Sequence, residues 1–68
     1  AVMQIQLNGS GFALPDEATV ADLLATLDLH GRRVAVELNL DIVPRSLHSS
    51  TRLQENDRVE VVHAIGGG

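Results

Sequence analysis

Between Met3 and Asn8 apolar and polar residues alternate without a break, with Met3, Ile5 and Leu7 set against Gln4, Gln6 and Asn8. A period of two puts one set on each side of an extended chain, so this segment predicts a half-buried strand. Asn8 to Gly11 supplies residues that tolerate positive φ, and Phe12 and Leu14 resume the alternation until Pro15 closes a second strand. The first fifteen residues therefore predict a hairpin. The Asn8-Gly9-Ser10 tripeptide matches a glycosylation sequon, but between two such strands it is expected to be the turn.

The period then changes. Thr19 stands just ahead of Val20, with Asp22 three residues after it, which is the spacing of a capping box. Val20, Leu23, Leu24 and Leu27 follow at i, i+3, i+4 and i+7 and form one apolar stripe, with Gly31 after His30 as the expected stop. At that position His30 would meet the negative end of the helix dipole as a capping or surface residue. Alternation returns in Val34, Val36 and Leu38, a third strand, and Asn39-Leu40-Asp41 turns the chain into a short fourth strand, Ile42-Val43, that Pro44 ends. Arg45 to Arg52 is polar and without period, so it predicts a loop with room for one helical turn, pinned to the core by Leu47 and Leu53. After a turn at Asn56-Asp57, Arg58 to Ile65 forms the last strand, with Val59, Val61, His63 and Ile65 on one side and Glu60, Val62 and Ala64 on the other. Two apolar residues on that second side fit either a strand lying mid-sheet or a contact surface. The whole predicts an α+β domain, a mixed sheet of four to five strands with one main helix on one face and the other face open.

Length and composition narrow what such a domain can do. Sixty-eight residues allow one core, and a chain of this size hides only about 60% of its unfolded surface, which leaves little room for a buried pocket around a large cofactor. There is no cysteine, so disulfides, thiolate metal sites and a cysteine nucleophile are excluded. With no Trp, no Tyr and a single Phe12, the stacking platforms of single-stranded nucleic-acid binders are missing. A net charge of −4 repels phosphate backbones and anionic lipid, and the sequence has no apolar run of membrane-spanning length and no leader-like start. The expectation is a cytoplasmic protein that is monomeric when free, binds neither nucleic acid nor membrane, and meets partners with basic or apolar faces. Ala1 and Val2 precede Met3, a natural start, and are read as residues added ahead of it.

The search for an ordinary active site returns little. His30, His48 and His63 are widely spaced and unaccompanied by cysteine, so no metal site is expected. Ser46, Ser49 and Ser50 flank His48, but adjacency in sequence does not make a triad, which needs a base and an orienting acid held by a scaffold. Asp16-Glu17 reads as a solvated turn ahead of the helix. What remains is Gly66-Gly67-Gly68, directly after a regular strand. Three glycines reach roughly 10 Å when extended, and without β-carbons the terminal carbonyl is open to approach from either face. Taken alone, such a tail fits a linker as well as a reacting end.

Asn39, Ile42-Val43-Pro44-Arg45 and Leu53-x-x-Asn56-Asp57-x-Val59-x-Val61-Val62, closing on the glycines, together resemble the bacterial thiamin-biosynthesis sulfur carriers, the ThiS family, over nearly the whole chain from Met3. Gly66 is an extra glycine before the family's shared pair, and Asn56 stands where relatives often carry Gly. The resemblance implies a ubiquitin-like β-grasp domain over residues 3–65 with a flexible tail over 66–68. It implies a protein co-substrate with no catalytic residues and no bound cofactor of its own. A ThiF-like adenylyltransferase would use ATP and Mg²⁺ to activate the Gly68 carboxylate, a persulfide donor would convert it to a thiocarboxylate, and a ThiG-like thiazole synthase would receive the sulfur. On that reading Gly68 is the attachment site, Gly66 and Gly67 thread the partner's active site, and Val62, Ala64 and Ile65 meet the partner. The small subunit of molybdopterin synthase and ubiquitin-like modifiers share the Gly-Gly ending and are the alternatives.

Overall fold

The computed structural model describes residues 1–63. Strands β1 (Val2–Leu7) and β2 (Ser10–Pro15) form the first hairpin, and helix α1 spans Val20–Thr26. Strands β3 (Val34–Leu38) and β4 (Asp41–Val43) form the second hairpin, a single 3₁₀ turn covers Arg45–Leu47, and β5 (Arg58–His63) follows. The sheet order is β2-β1-β5-β3-β4, so the last strand lies at the centre, parallel to β1 and antiparallel to β3. β1 begins at Val2, one residue ahead of Met3, because Val2 pairs with Pro15.

Both hairpins turn through two residues at positive φ, Asn8 with Gly9 and Asn39 with Leu40, as the primed turns that match strand twist require. The inward residues of the strands close over α1: Met3, Ile5, Leu14, Val36, Val43, Val59 and Val61 are buried with Val20, Leu23 and Leu24 of the helix. The other face of the sheet carries no helix.

The helix starts as its sequence predicts. The Thr19 hydroxyl accepts from the Asp22 N–H at 3.1 Å and the Asp22 carboxylate accepts from the Thr19 N–H at 2.9 Å. The next free N–H groups, of Val20 and Ala21, donate to the carbonyls of Thr51 and His48 at 2.9 Å each, so the polar 45–52 segment is packed over the helix entrance.

Its end differs from the expected stop at Gly31. The helix closes at Leu27, with Asp28 at φ 60°, the Asp28 N–H on the Ala25 carbonyl at 3.0 Å and the Leu29 N–H on the Leu24 carbonyl at 2.7 Å. This is a Schellman closure, and Leu29 packs back on the core as that motif favours. Gly31, at φ 78°, serves the next turn instead, in which the Arg32 N–H reaches the Leu29 carbonyl. His30 is therefore not a helix cap. Aspartate in the left-handed region at the negative end of a helix is unfavourable on both counts. Asp28→Gly should raise stability by about 0.5–1 kcal/mol, read as a higher urea midpoint at unchanged slope.

One core assignment is also reversed. Leu53 is buried, but Leu47 is 48% exposed and the neighbouring His48 is 8% exposed. A three-residue 3₁₀ turn has no apolar period to show which side chain points inward. Histidine is accommodated because its Nε2 donates to the Val43 carbonyl at 3.1 Å.

Candidate functional site

The region that carries the expected chemistry begins where β5 leaves the sheet. Ala64, Ile65, Gly66, Gly67 and Gly68 lie outside the described residues, so the site is built here from its root. On one flank β3 accompanies β5 to the end, with Ala35 opposite Val62 and Val34 opposite His63. The other flank is shorter. β1 pairs with β5 only at Gln6 opposite Arg58 and Leu7 opposite Val59, after which the chain turns away at Asn8.

Asn8 then takes over the role of a neighbouring strand. Its Oδ1 accepts the Val61 N–H at 2.9 Å and its Nδ2 donates to the Val61 carbonyl at 3.2 Å, so one side-chain amide satisfies both backbone groups. By strand alternation the N–H and C=O of His63 point to the same flank, beyond the end of β1. Neither is hydrogen-bonded to β1 among the described residues. The strand that leads to the tail thus leaves the sheet with one backbone edge open, a geometry able to accept another extended chain.

The helix-free face beside this exit is mixed in character. Val62 is 58% exposed and Ile42 63% exposed. The pairing register puts Ala35 beside Val62, and Glu37 between Ile42 and Glu60. β5 is therefore mid-sheet, the first of the two readings of its second side, and Val62 is exposed there. Glu37 and Glu60 are directly opposed like charges, and no basic side chain is within salt-bridge distance of either among the described residues. Opposed like charges on adjacent strands are destabilising. Glu60→Gln should raise stability by about 0.2–1 kcal/mol, with the gain shrinking in high salt as screening removes the repulsion it relieves.

The other candidates from the sequence do different work. His63 is exposed and His30 lies on a surface turn. Among the described residues no group of three or more histidines and acids is gathered as a metal site would need. Asn39 belongs to the scaffold: its Oδ1 accepts the Arg58 N–H at 2.9 Å and its Nδ2 reaches Asp57 Oδ1 at 3.1 Å, locking the second hairpin to the start of β5. Asn56 sits at φ 70°, which accounts for an Asn at a position where glycine would also serve. Asn8 went unnoticed as more than a turn residue, because its partner lies 53 positions away.

A family model described as the ThiS family matches residues 4–68, from within β1 to the last glycine. The chain belongs to the ThiS family. The sulfur carrier protein ThiS of Bacillus subtilis is 37% identical over 65 residues, covering 94% of this chain and 98% of that one. A thiazole synthase of Magnetococcus marinus is 42% identical over 66 residues, 97% of this chain but only 20% of that longer protein. Among solved structures, a ThiS from Geobacter metallireducens superposes with a TM-score of 0.83 at 29% identity, over 97% of this chain and all of that one. The five-stranded mixed sheet with one helix is the ThiS β-grasp fold, as the sequence predicts. Among the described residues no helix is long and apolar enough to cross a membrane.

Proposed function

We infer that this chain is a sulfur carrier of thiamin biosynthesis, working as a protein co-substrate through its terminal glycine. The observation that carries the reading is the family match, which runs without interruption from the first strand to Gly68. An enzyme's active site would read the tail and grip its root.

The chemistry follows from what a carboxylate lacks. A carboxylate is a poor electrophile, so a ThiF-like adenylyltransferase with ATP and Mg²⁺ joins the Gly68 carboxylate oxygen to the α-phosphorus and releases pyrophosphate. The acyl-adenylate has a good leaving group. Sulfur from a protein persulfide attacks the acyl carbon and expels AMP, giving an acyl disulfide. One further thiol reduces that bond, leaving the thiocarboxylate on Gly68 and a disulfide on the donor side. The chain has no cysteine, so both sulfur and thiol come from partners.

The thiocarboxylate then delivers its sulfur to a ThiG-like thiazole synthase. Support for that partner comes from the Magnetococcus protein, in which a segment similar to this chain is part of a longer polypeptide named thiazole synthase. Gly66 and Gly67 give the tail a cross-section that a narrow cleft can admit. Val62, Ala64 and Ile65, just ahead of the glycines in sequence, would be the first to meet the partner, and the Glu37–Glu60 pair favours one with a basic residue nearby.

The deciding experiment is the intact mass of protein purified from thiamin-producing cells, with the expected result a replacement of one oxygen by sulfur that maps to Gly68. Carboxylate alone, even after incubation with ATP, an adenylyltransferase and a persulfide donor, would overturn the reading. A second expectation concerns Gly68→Ala, which should slow ATP–pyrophosphate exchange while leaving the thermal midpoint unchanged. Equal exchange by variant and parent would remove the steric requirement for glycine.

A further inference from the structure

On the helix side of the same sheet end lies a half-open cavity of about 330 Å³. Ala21, Leu24 and Val34 give it an apolar wall, and its remaining lining includes His30, Arg32, Arg45 and His48. The chain has nine acidic residues and only five arginines, yet two of the arginines, Arg32 and Arg45, line this cavity and no Asp or Glu does. Segregation of this kind in a net-negative protein is a positive focus, the arrangement that attracts an anion.

Two of these groups are held in place by the fold. The Arg45 guanidinium donates to the Arg32 carbonyl at 3.1 Å, which uses one of its five N–H donors and keeps the others free to meet an oxyanion. His48 is more than nine-tenths buried, and its Nε2 is committed to the Val43 carbonyl. The volume is at the small end for ligand sites, which run from about 300 to 1,000 Å³.

We propose that this cavity binds a small organic anion: one carboxylate or phosphate monoester for Arg32 and Arg45, and an apolar body against Leu24 and Val34. The site is separate from the tail chemistry and does not depend on it. It lies at the same end of the sheet, because Val34 lines the cavity and pairs with His63.

The test is a titration of the full chain with phenyl phosphate at low salt, followed by amide chemical shifts in the ¹H–¹⁵N spectrum. Saturable shifts confined to the amides of Ala21, Gly31, Val34 and Ser49 are expected, with a dissociation constant below about 1 mM. Arg32→Met with Arg45→Met should weaken binding at least about tenfold, since charge-assisted bonds to the anion are lost while the aliphatic stems remain. Arg52→Met, which removes the remote ion pair with Glu17, should leave affinity unchanged. Inorganic phosphate and benzyl alcohol each carry half of the recognised chemistry and should bind more weakly than the probe. Three results would overturn the proposal: no saturable shift, equal binding of inorganic phosphate, or undiminished affinity in the double variant with its fold intact by the same spectrum.

Discussion

Leu23→Ala should remove about 3–5 kcal/mol of folding stability, a large part of the whole for a chain of this size. Leu23 is fully buried in the middle of α1, with no exposed surface, and faces the inward residues of the sheet. Truncation loses the transfer free energy of the missing methyl and methylene groups and opens a cavity that the surroundings fill only in part. In a large protein this would be tolerated. Here, among the described residues, one seven-residue helix supplies three of the buried core residues, and a chain of this length has a total stability of about 3–10 kcal/mol. Leu23→Met, which conserves volume, should cost less than about 1.5 kcal/mol. Urea denaturation of the two variants side by side separates burial from volume, and an alanine variant within 1 kcal/mol of the parent (about a fivefold change in the folding constant) would mean that the helix is not the principal lid of the core.

Asn8→Ala is expected to cost about 2–5 kcal/mol, an unusually large effect for an exposed turn residue. Two physical terms add. Alanine at φ 50° pays the left-handed penalty of about 1–2 kcal/mol. Removal of the side-chain amide strips both partners from Val61, whose residue is largely buried, at about 1–3 kcal/mol. Asn8→Gly isolates the second term, since glycine accepts the turn without strain. Asn8→Asp keeps the acceptor for the Val61 N–H but turns an oxygen toward the Val61 carbonyl, so it should fall between glycine and the parent. Hydrogen exchange at the Val61 amide gives the local readout, and protection in the alanine variant equal to the parent's would sink the assignment.

The strands were legible in the sequence because a half-buried strand imposes a period of two on its own residues, and Met3–Leu7 and Val34–Leu38 follow it without interruption. The helix start was legible for a similar reason, as Thr19 and Asp22 satisfy one another across three positions. The helix end was not. Gly31 is the residue that usually closes a helix, and Asp28 does so at an energetic cost that composition does not advertise. The exchange of Leu47 for His48 in the interior was hidden because a three-residue turn has no periodicity. The pairing of β5 with β1 and the double role of Asn8 depend on contacts more than fifty residues apart. The cationic cavity was equally hidden, as its lining comes from the helix, the turn after it, the start of β3 and the 3₁₀ segment. The expectation for the tail residues rests on their place after a strand and on the motifs upstream of them; they lie outside the described residues, and the family model spans them.

The placement of β5 has a mechanical consequence. β1 and β5 run parallel, so the start of one and the end of the other lie at opposite ends of the sheet, and β3 grips the second flank in the antiparallel sense. A pull on the end of β5 acts along the strand axis, across hydrogen bonds that lie roughly at right angles to it. Bonds loaded in shear must give way together, whereas a hairpin opened from its tip unzips one pair at a time. A force applied to the end of β5 would therefore act against the most resistant axis of this small domain, with β1 and β3 as the anchors on its two flanks.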